Sequence, residues 1–276
     1  MKAALVQLRS SDDPEANLPV TLGHLADAAE SGADLILTPE VTNCVSASRS
    51  RQMSVLRHEG DDATLAAVRA FAADRGVHVL IGSLGLLTDD PDGRFANRSI
   101  LVGPDGGIGA RYDKIHMFDV EISETESYCE SAGYRPGDRA VVADGPGCRI
   151  GMTVCYDVRF PHLYRALAQA GAEVLTVPAA FSPVSGDAHW ETLLRARAIE
   201  TGCWVLAPAQ AGEHDATEGR RRTTHGHSLA VAPWGEVVAD AGTEPGVTLV
   251  DVDLSAVADA RRRIPSLTGD RSFDGP

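Results

Sequence analysis

Ile150-Gly151-Met152-Thr153-Val154-Cys155-Tyr156-Asp157-Val158-Arg159-Phe160-Pro161 is the stretch on which the reading of this chain turns. An apolar run from Arg149 to Val154 stops at Cys155, and the spacing Leu163, Ala166, Leu167, Ala170 then predicts a helix. Cys155 therefore falls where a strand ends and a helix starts. At such a junction an α/β protein can open a side chain to a ligand while the next backbone N–H groups face developing negative charge. A thiol placed there is a candidate nucleophile.

The pattern recurs outward from this point. Lys2–Leu8, Asp34–Thr38, Val77–Leu84, Glu173–Val177 and Trp204–Pro208 read as strands, and Asn17–Gly32, Asp61–Arg75, Arg159–Ala170, Ala188–Thr201 and Leu254–Arg263 as helices. Pro104-Asp105-Gly106-Gly107 joins two extended runs, 97–102 and 108–112, into a hairpin. Strands near 226–232, 236–241 and 248–252 close the chain, with Pro233-Trp234-Gly235 turning between the first two. Met117–Asp138 lacks periodicity, and a loop of that length in a compact domain is often functional. Arginine-rich Gly212–Arg222 reads as a surface loop, and Ser266–Pro276 as a tail that frays or reaches a partner. Alternating helices and strands predict a mixed α/β class. Without a linker or a repeat, residues 1–276 count as one domain.

Composition narrows the partners. The 276 residues carry a formal net charge of −14, a field that repels nucleic acid and anionic membrane surfaces. The N-terminal apolar run is too short for a secretory signal, and no stretch has the length to span a bilayer, so the expectation is a cytoplasmic protein. Five cysteines, odd in number and with no C-x-x-C pair, read as free thiols.

Glu40, Lys114 and Cys155 each follow an apolar strand-like run. A carboxylate, an ammonium and a thiol brought together can carry acyl transfer. The carboxylate takes the thiol proton, sulfur attacks a carbonyl, and the ammonium stabilises the oxyanion; it would also favour the thiolate and keep the carboxylate ionised. Taken singly, each has a plain structural reading: a solvated loop Glu, a surface Lys, a small core Cys.

The motifs together decide between these readings. Leu37-Thr38-Pro39-Glu40, Tyr112-Asp113-Lys114-Ile115-His116 and Val154-Cys155-Tyr156-Asp157-Val158-Arg159-Phe160-Pro161 carry most of a resemblance. His189-Trp190-Glu191, Arg195–Glu200, Gly226-His227-Ser228 and Pro233-Trp234-Gly235-Glu236 complete it. In this order the chain resembles the nitrilase superfamily of carbon–nitrogen hydrolases, its Nit branch in particular. The resemblance implies a four-layer α-β-β-α sandwich, a homodimer or higher oligomer, and no cofactor or metal. It matches Glu40 to a general base, Lys114 to an oxyanion-stabilising lysine, Cys155 to the nucleophile and Glu130 to a second glutamate beside the lysine, with the Tyr156 N–H completing the oxyanion site.

The substrate so implied is a small amide bearing a carboxylate, cleaved through a thioester. Deaminated glutathione comes first, then ω-amides such as α-ketoglutaramate and succinamate, then N-carbamoyl compounds and nitriles. A catalytically silent scaffold of the same fold is the non-enzyme alternative, and a thiol redox protein a third class. The chain departs from the branch at Glu121–Glu126, where relatives carry a Pro-Gly turn, and in its less basic C-terminal end, Thr268–Ser272.

Other features invite different readings. Gly226-His227-Ser228-Leu229-Ala230 lacks the helix that a G-x-S-x-G elbow needs, so Ser228 reads as structural. His225 and His227 could share a strand face and bind metal, but no supporting ligand is spaced to join them. Gly106-Gly107-Ile108-Gly109 is a hairpin turn rather than a phosphate loop, and Asn97-Arg98-Ser99 a formal glycosylation triplet. Arg159 reads either as a fork for a substrate carboxylate or as a salt bridge with Asp157 or another acid; Arg195 and Arg197 read as helix-surface or interface ion pairs.

Overall fold

A computed structural model describes residues 1–123 and 126–275. Glu124 and Thr125, within the departing segment, and Pro276 of the tail lie outside the described residues. The first half of the chain supplies β1 (Lys2–Gln7), α1 (Pro14–Glu30), β2 (Leu35–Leu37), α2 (Arg49–Val55), α3 (Ala63–Arg75), β3 (His78–Leu86), β4 (Ala96–Val102) and β5 (Ile108–Asp113). A hairpin, β6 (Asp119–Ser123) and β7 (Glu126–Cys129), leads into β8 (Val141–Asp144), β9 (Arg149–Met152), α4 (Pro161–Gln169), β10 (Val174–Thr176), α5 (Pro183–Thr201) and β11 (Trp204–Ala207). Then come β12 (Ala211–Glu213), β13 (Thr223–His225), β14 (Leu229–Val231), β15 (Val237–Asp240), β16 (Gly246–Asp251) and α6 (Ser255–Arg263).

The strands form two six-stranded sheets, ordered β16-β1-β2-β3-β4-β5 and β15-β14-β11-β10-β9-β8. In each, three parallel strands lie centrally, β1-β2-β3 and β9-β10-β11, with antiparallel strands outside them. Side-chain alternation explains the layering. Ala3 and Leu5 of β1, with Leu35, Leu37 and Leu80, join Ile150, Met152 and Val174 of the second sheet in one core. Ala4, Val6, Ile36, Val79 and Ile81 point the other way, onto Leu25 and Ala28 of α1 and Leu65, Val68 and Ala72 of α3. Leu163 and Leu167 of α4 and Trp190 and Leu194 of α5 cover the second sheet. The result is the expected four-layer α-β-β-α sandwich.

Helix ends follow local chemistry. Asp62 caps α3 by accepting from the Leu65 N–H, and Gly76 closes it at φ +65°. α5 begins at Pro183, five residues before the periodicity predicts, because its first turn is small and polar. α2 was not predicted at all: of its seven residues only Gln52 is buried, so it carries no apolar stripe. The unpatterned segment after Met117 contains the β6–β7 hairpin, and Gly212–Arg222 is not a plain surface loop but the link of the β12–β13 hairpin. The tail does not fray at its start. Arg165 and Gln169 of α4 hold Ser266, Leu267 and Asp270.

Where the two sheets approach at their strand ends, Gly82 of β3 is the spacer. A Cβ there would lie 2.0 Å from the Thr38 carbonyl oxygen, 2.5 Å from that of Pro39 and 2.5 Å from Pro178 Cβ.

Candidate active site

Three apolar runs end on one edge of the sandwich, and their next polar residues meet. Glu40 follows β2, Lys114 follows β5 and Cys155 follows β9; all three are buried. Lys114 Nζ donates to Glu40 Oε1 at 2.9 Å and to Glu130 Oε2 and Oε1 at 2.8 and 3.0 Å. The Phe118 N–H donates to Glu130 Oε2 at 2.7 Å, which fixes that carboxylate from the loop after β5. Glu40 Oε2 accepts the Ala180 N–H at 2.9 Å, and the Cys155 thiol lines the same cavity within reach of the Glu40 charge. The sequence-predicted set Glu40, Lys114, Glu130 and Cys155 is thus brought into one cluster.

Backbone strain marks the same edge. Cys155 has φ +49° and Val41, next to Glu40, has φ +46°, a region costing a non-glycine residue about 1–3 kcal/mol. Neighbours over-determine both. The Val41 N–H donates to Ser83 Oγ at 2.7 Å, and Gln210 Nε2 to the Glu40 carbonyl at 3.1 Å. The Cys155 N–H donates to the Pro178 carbonyl at 2.9 Å. Two or three fully buried Leu or Ile side chains, each contributing about 1.5–3 kcal/mol, offset that strain.

Residues 155–159 form a 3₁₀ turn, so Tyr156 sits at its start, where N–H groups lack a partner within the turn. Asp157 is fully buried and locks the turn: its carboxylate accepts from the Tyr112 hydroxyl at 2.6 Å, the Val154 N–H at 2.9 Å and the His116 N–H at 3.0 Å. Arg197 departs from its expected surface role. It is buried, donating to the Val158 carbonyl at 2.8 Å and pairing with Glu200. Arg195 does lie at the surface, 3.1 Å from Glu191.

Electrostatics follow from burial. For Glu40, burial alone would raise the carboxyl, but the Lys114 charge and hydrogen bonds from Lys114, Cys155 and Asn97 outweigh it and hold the pKa below the ordinary range. For Lys114, burial is outweighed by the charges of Glu130 and Glu40, and the ammonium is held well above its usual value. Cys155 corrects the sequence expectation of a favoured thiolate. Burial first and the Glu40 charge second push its pKa well up, and Lys114 only partly opposes them. The resting pair is a neutral thiol beside a carboxylate.

The cluster lies on a cavity of about 460 Å³. Phe118, Tyr128, Tyr156 and Phe181 give it apolar walls, and Arg49, Arg220 and Arg222 also line it. Arg159 is not among the lining residues. Its guanidinium is 3.3 Å from His189 Nδ1 and packs near the rings of Phe181 and Tyr156, while Asp157 is committed elsewhere. Sequence reasoning missed Asn97, whose Nδ2 donates to Glu40 Oε1 at 2.9 Å and Glu130 Oε1 at 3.2 Å. Its position opening the strand that pairs with β5 was the available signal. Ser228 is buried and structural, donating to Gln7 Oε1 at 2.9 Å. The rings of His225 and His227 stack at 4.7 Å but pair separately with Asp187 and Asp240; among the described residues no group of three or more ligand side chains could hold a metal. Among them, too, no helix is long and apolar enough to cross a membrane.

A two-sheet sandwich with a buried acid–amine–thiol cluster on a deep cavity is the framework of a hydrolase class, and comparison with known proteins identifies it. The family profile described as carbon-nitrogen hydrolase matches residues 2–262, and the chain belongs to that family. Particular relatives narrow the neighbourhood. The deaminated glutathione amidase of Yersinia enterocolitica is 39% identical over 97% of this chain and 92% of its own length. The omega-amidase NIT2 of Bos taurus is 32% identical over 98% of this chain and 95% of its own. Among solved structures, the C. elegans NitFhit protein superposes with a TM-score of 0.89 at 32% identity, covering 98% of this chain and 65% of that longer one.

Proposed function

We propose that residues 1–276 form one thiol amidase domain that cleaves a small carboxylate-bearing amide through a Cys155 thioester. Cys155 Sγ attacks the amide carbonyl as Glu40 takes the thiol proton, and the carbonyl electron pair moves to oxygen. Lys114 and the Tyr156 N–H stabilise that oxyanion. On collapse the C–N bond breaks and the amine leaves with the proton from Glu40. Water then attacks the thioester, Glu40 taking its proton and returning it to sulfur. Glu130 and Asn97 hold Lys114 and Glu40 in place.

The observation that carries this reading is the shared carboxylate: Glu40 is ion-paired with the Lys114 ammonium at 2.9 Å and lines the same cavity as the Cys155 thiol, which feels its charge. A neutral resting thiol fits proton transfer concerted with attack, rather than a standing thiolate. A silent scaffold would have no use for a buried cluster of three charges, whose desolvation costs stability.

The likeness to deaminated glutathione amidases favours deaminated glutathione as substrate, and that to omega-amidase supports α-ketoglutaramate or succinamate as second choice. A homodimer in the cytoplasm belongs to the same proposal; exposed Ile199, against Gly235, offers apolar surface for pairing. A panel of deaminated glutathione, α-ketoglutaramate, succinamate and N-carbamoyl-β-alanine, assayed for amine and carboxylate release, tests the chemistry. Turnover of at least one, abolished by iodoacetamide on Cys155, is expected. Inactivity on all four would end the proposal.

A further inference from the structure

The cavity has a charge polarity that the buried cluster does not explain. At the inner end Glu40 and Glu130 face Lys114, two negative charges against one positive, a formal sum of −1. On its solvent side, exposed Arg220 and half-buried Arg222 line the same cavity. Among the described residues neither is in an ion pair. Arg220 packs against the Tyr128 ring at 5.8 Å, and half-buried Arg222 makes no side-chain hydrogen bond to the described residues. Arg221 between them pairs away from the cavity, with Glu213 at 2.8 Å and Asp215 at 3.3 Å. This alternation is what an extended segment leading into β13 produces: residues i and i+2 on one face, i+1 on the other.

The segment is firmly held. The His214 N–H donates to the Arg222 carbonyl at 2.8 Å, and the buried His214 ring lies between the Ser10 carbonyl and Thr224 Oγ1 at 2.8 and 2.7 Å. The buried Asp12 carboxylate accepts from the Thr217 N–H and hydroxyl at 2.7 and 2.9 Å. Ser48 and Ser50 donate to Glu218 at 3.2 and 2.9 Å. Two guanidinium groups without acids, displayed on a braced hairpin in a chain of net charge −14, are donors left for a ligand. Other arginines nearby are engaged: Arg49 donates to the Gly133 and Gly93 carbonyls, and Arg159 rests on His189.

We propose that Arg222, with Arg220 at the rim, is the subsite for a carboxylate at the end of the substrate distant from the scissile amide, and that it sets the preference for anionic over neutral amides. The assignment rests on the amidase reading of the same cavity. A guanidinium fork suits a carboxylate bidentately, while the net negative inner end repels it, so the substrate enters amide first.

Calorimetry on the full-length Cys155→Ala protein, with glutarate and its neutral analogue glutaramide as probes, tests the subsite without turnover. Arg222→Met should cut the ratio of glutarate to glutaramide affinity about 10- to 100-fold, the worth of one charge-assisted pair, with Arg222→Lys between the two. In the protein retaining Cys155, the ratio of kcat/KM for succinamate over butyramide should fall by a similar factor. A ratio held within twofold, loss through Arg159→Met instead, or no glutarate binding at all overturns the subsite. If the unmodified protein hydrolyses no amide but glutarate binds through Arg222, the amidase reading fails and the subsite stands.

Discussion

At the inner end of the cavity, Glu40, Lys114 and Glu130 neutralise most of one another's charge before any ligand arrives. At its mouth, Arg220 and Arg222 have no ion-pair partner among the described residues, and the hairpin that carries them is held by backbone and hydroxyl contacts to Asp12, Ser48 and Ser50. At the inner end Glu40 and Lys114 follow strands of the first sheet and neighbouring Cys155 a strand of the second; the mouth belongs to a connection. In the proposed mechanism the difference separates two tasks: geometry fixed for bond breaking, and charge held open for recognition. Perturbing the first should register in kcat and stability, and perturbing the second in KM.

The sharpest test of that division is Cys155→Ala. Removing the proposed nucleophile should lower turnover by about 10⁴-fold or more while the circular dichroism spectrum and the melting transition stay near those of the parent. Glu40→Gln keeps the shape but cannot take the thiol proton, so kcat should drop roughly 10²- to 10⁴-fold with KM little changed. An equal rise in KM would mean that the inner end also selects substrate. Lys114→Met leaves the buried Glu40 and the part-buried Glu130 carboxylates facing each other; denaturant titration should show a loss of about 3–5 kcal/mol. Adding Glu130→Gln should recover part of it, because one uncompensated charge is then gone.

At the mouth, Asp12→Ala removes the carboxylate that pins Thr217, and KM for the anionic amide should rise roughly three- to tenfold, in line with about 1 kcal/mol per hydrogen bond, while kcat holds. A fall in kcat instead would erase the boundary between the two ends. The smallest expected effect is on pH dependence. The depressed Glu40 pKa contributes stability present above the ordinary 4.5 and lost as pH falls through the lower folded value. The raised Cys155 pKa contributes stability that is complete below the ordinary 9.0 and lost as pH climbs beyond it. Urea midpoints across pH should therefore show this cluster's contribution as a plateau between these values, and Glu40→Gln should flatten the acid side.

The same contrast explains what could be read in advance. Strands such as Leu35–Leu37 and Arg149–Met152 are short and, save for Arg149, buried, so their apolar runs end abruptly and expose Glu40 and Cys155 to sequence reasoning. The layers followed once helices and strands alternated. α2 was invisible because its neighbours ask almost nothing of its side chains, and β12 and β13, Ala-Gly-Glu and Thr-Thr-His, carry no pattern beyond three residues. Asn97 was legible only as a glycosylation triplet, since its two partners lie 57 and 33 residues away. Arg159 stood out for its nearness to Cys155 along the chain, yet the arginines on the cavity wall, Arg49, Arg220 and Arg222, are far from it in sequence.

Gly82 gives this architecture its calibre. The acid and the thiol are carried by different sheets, and the seam between those sheets closes over a position with no room for a single methyl group. Alanine there would act as a shim, prising the Thr38–Pro39 edge from Pro178 and opening the distance across which, in the proposed mechanism, a proton passes. A residue that touches no substrate and offers no functional group thus sets the gauge of the whole reactive centre by the atom it lacks.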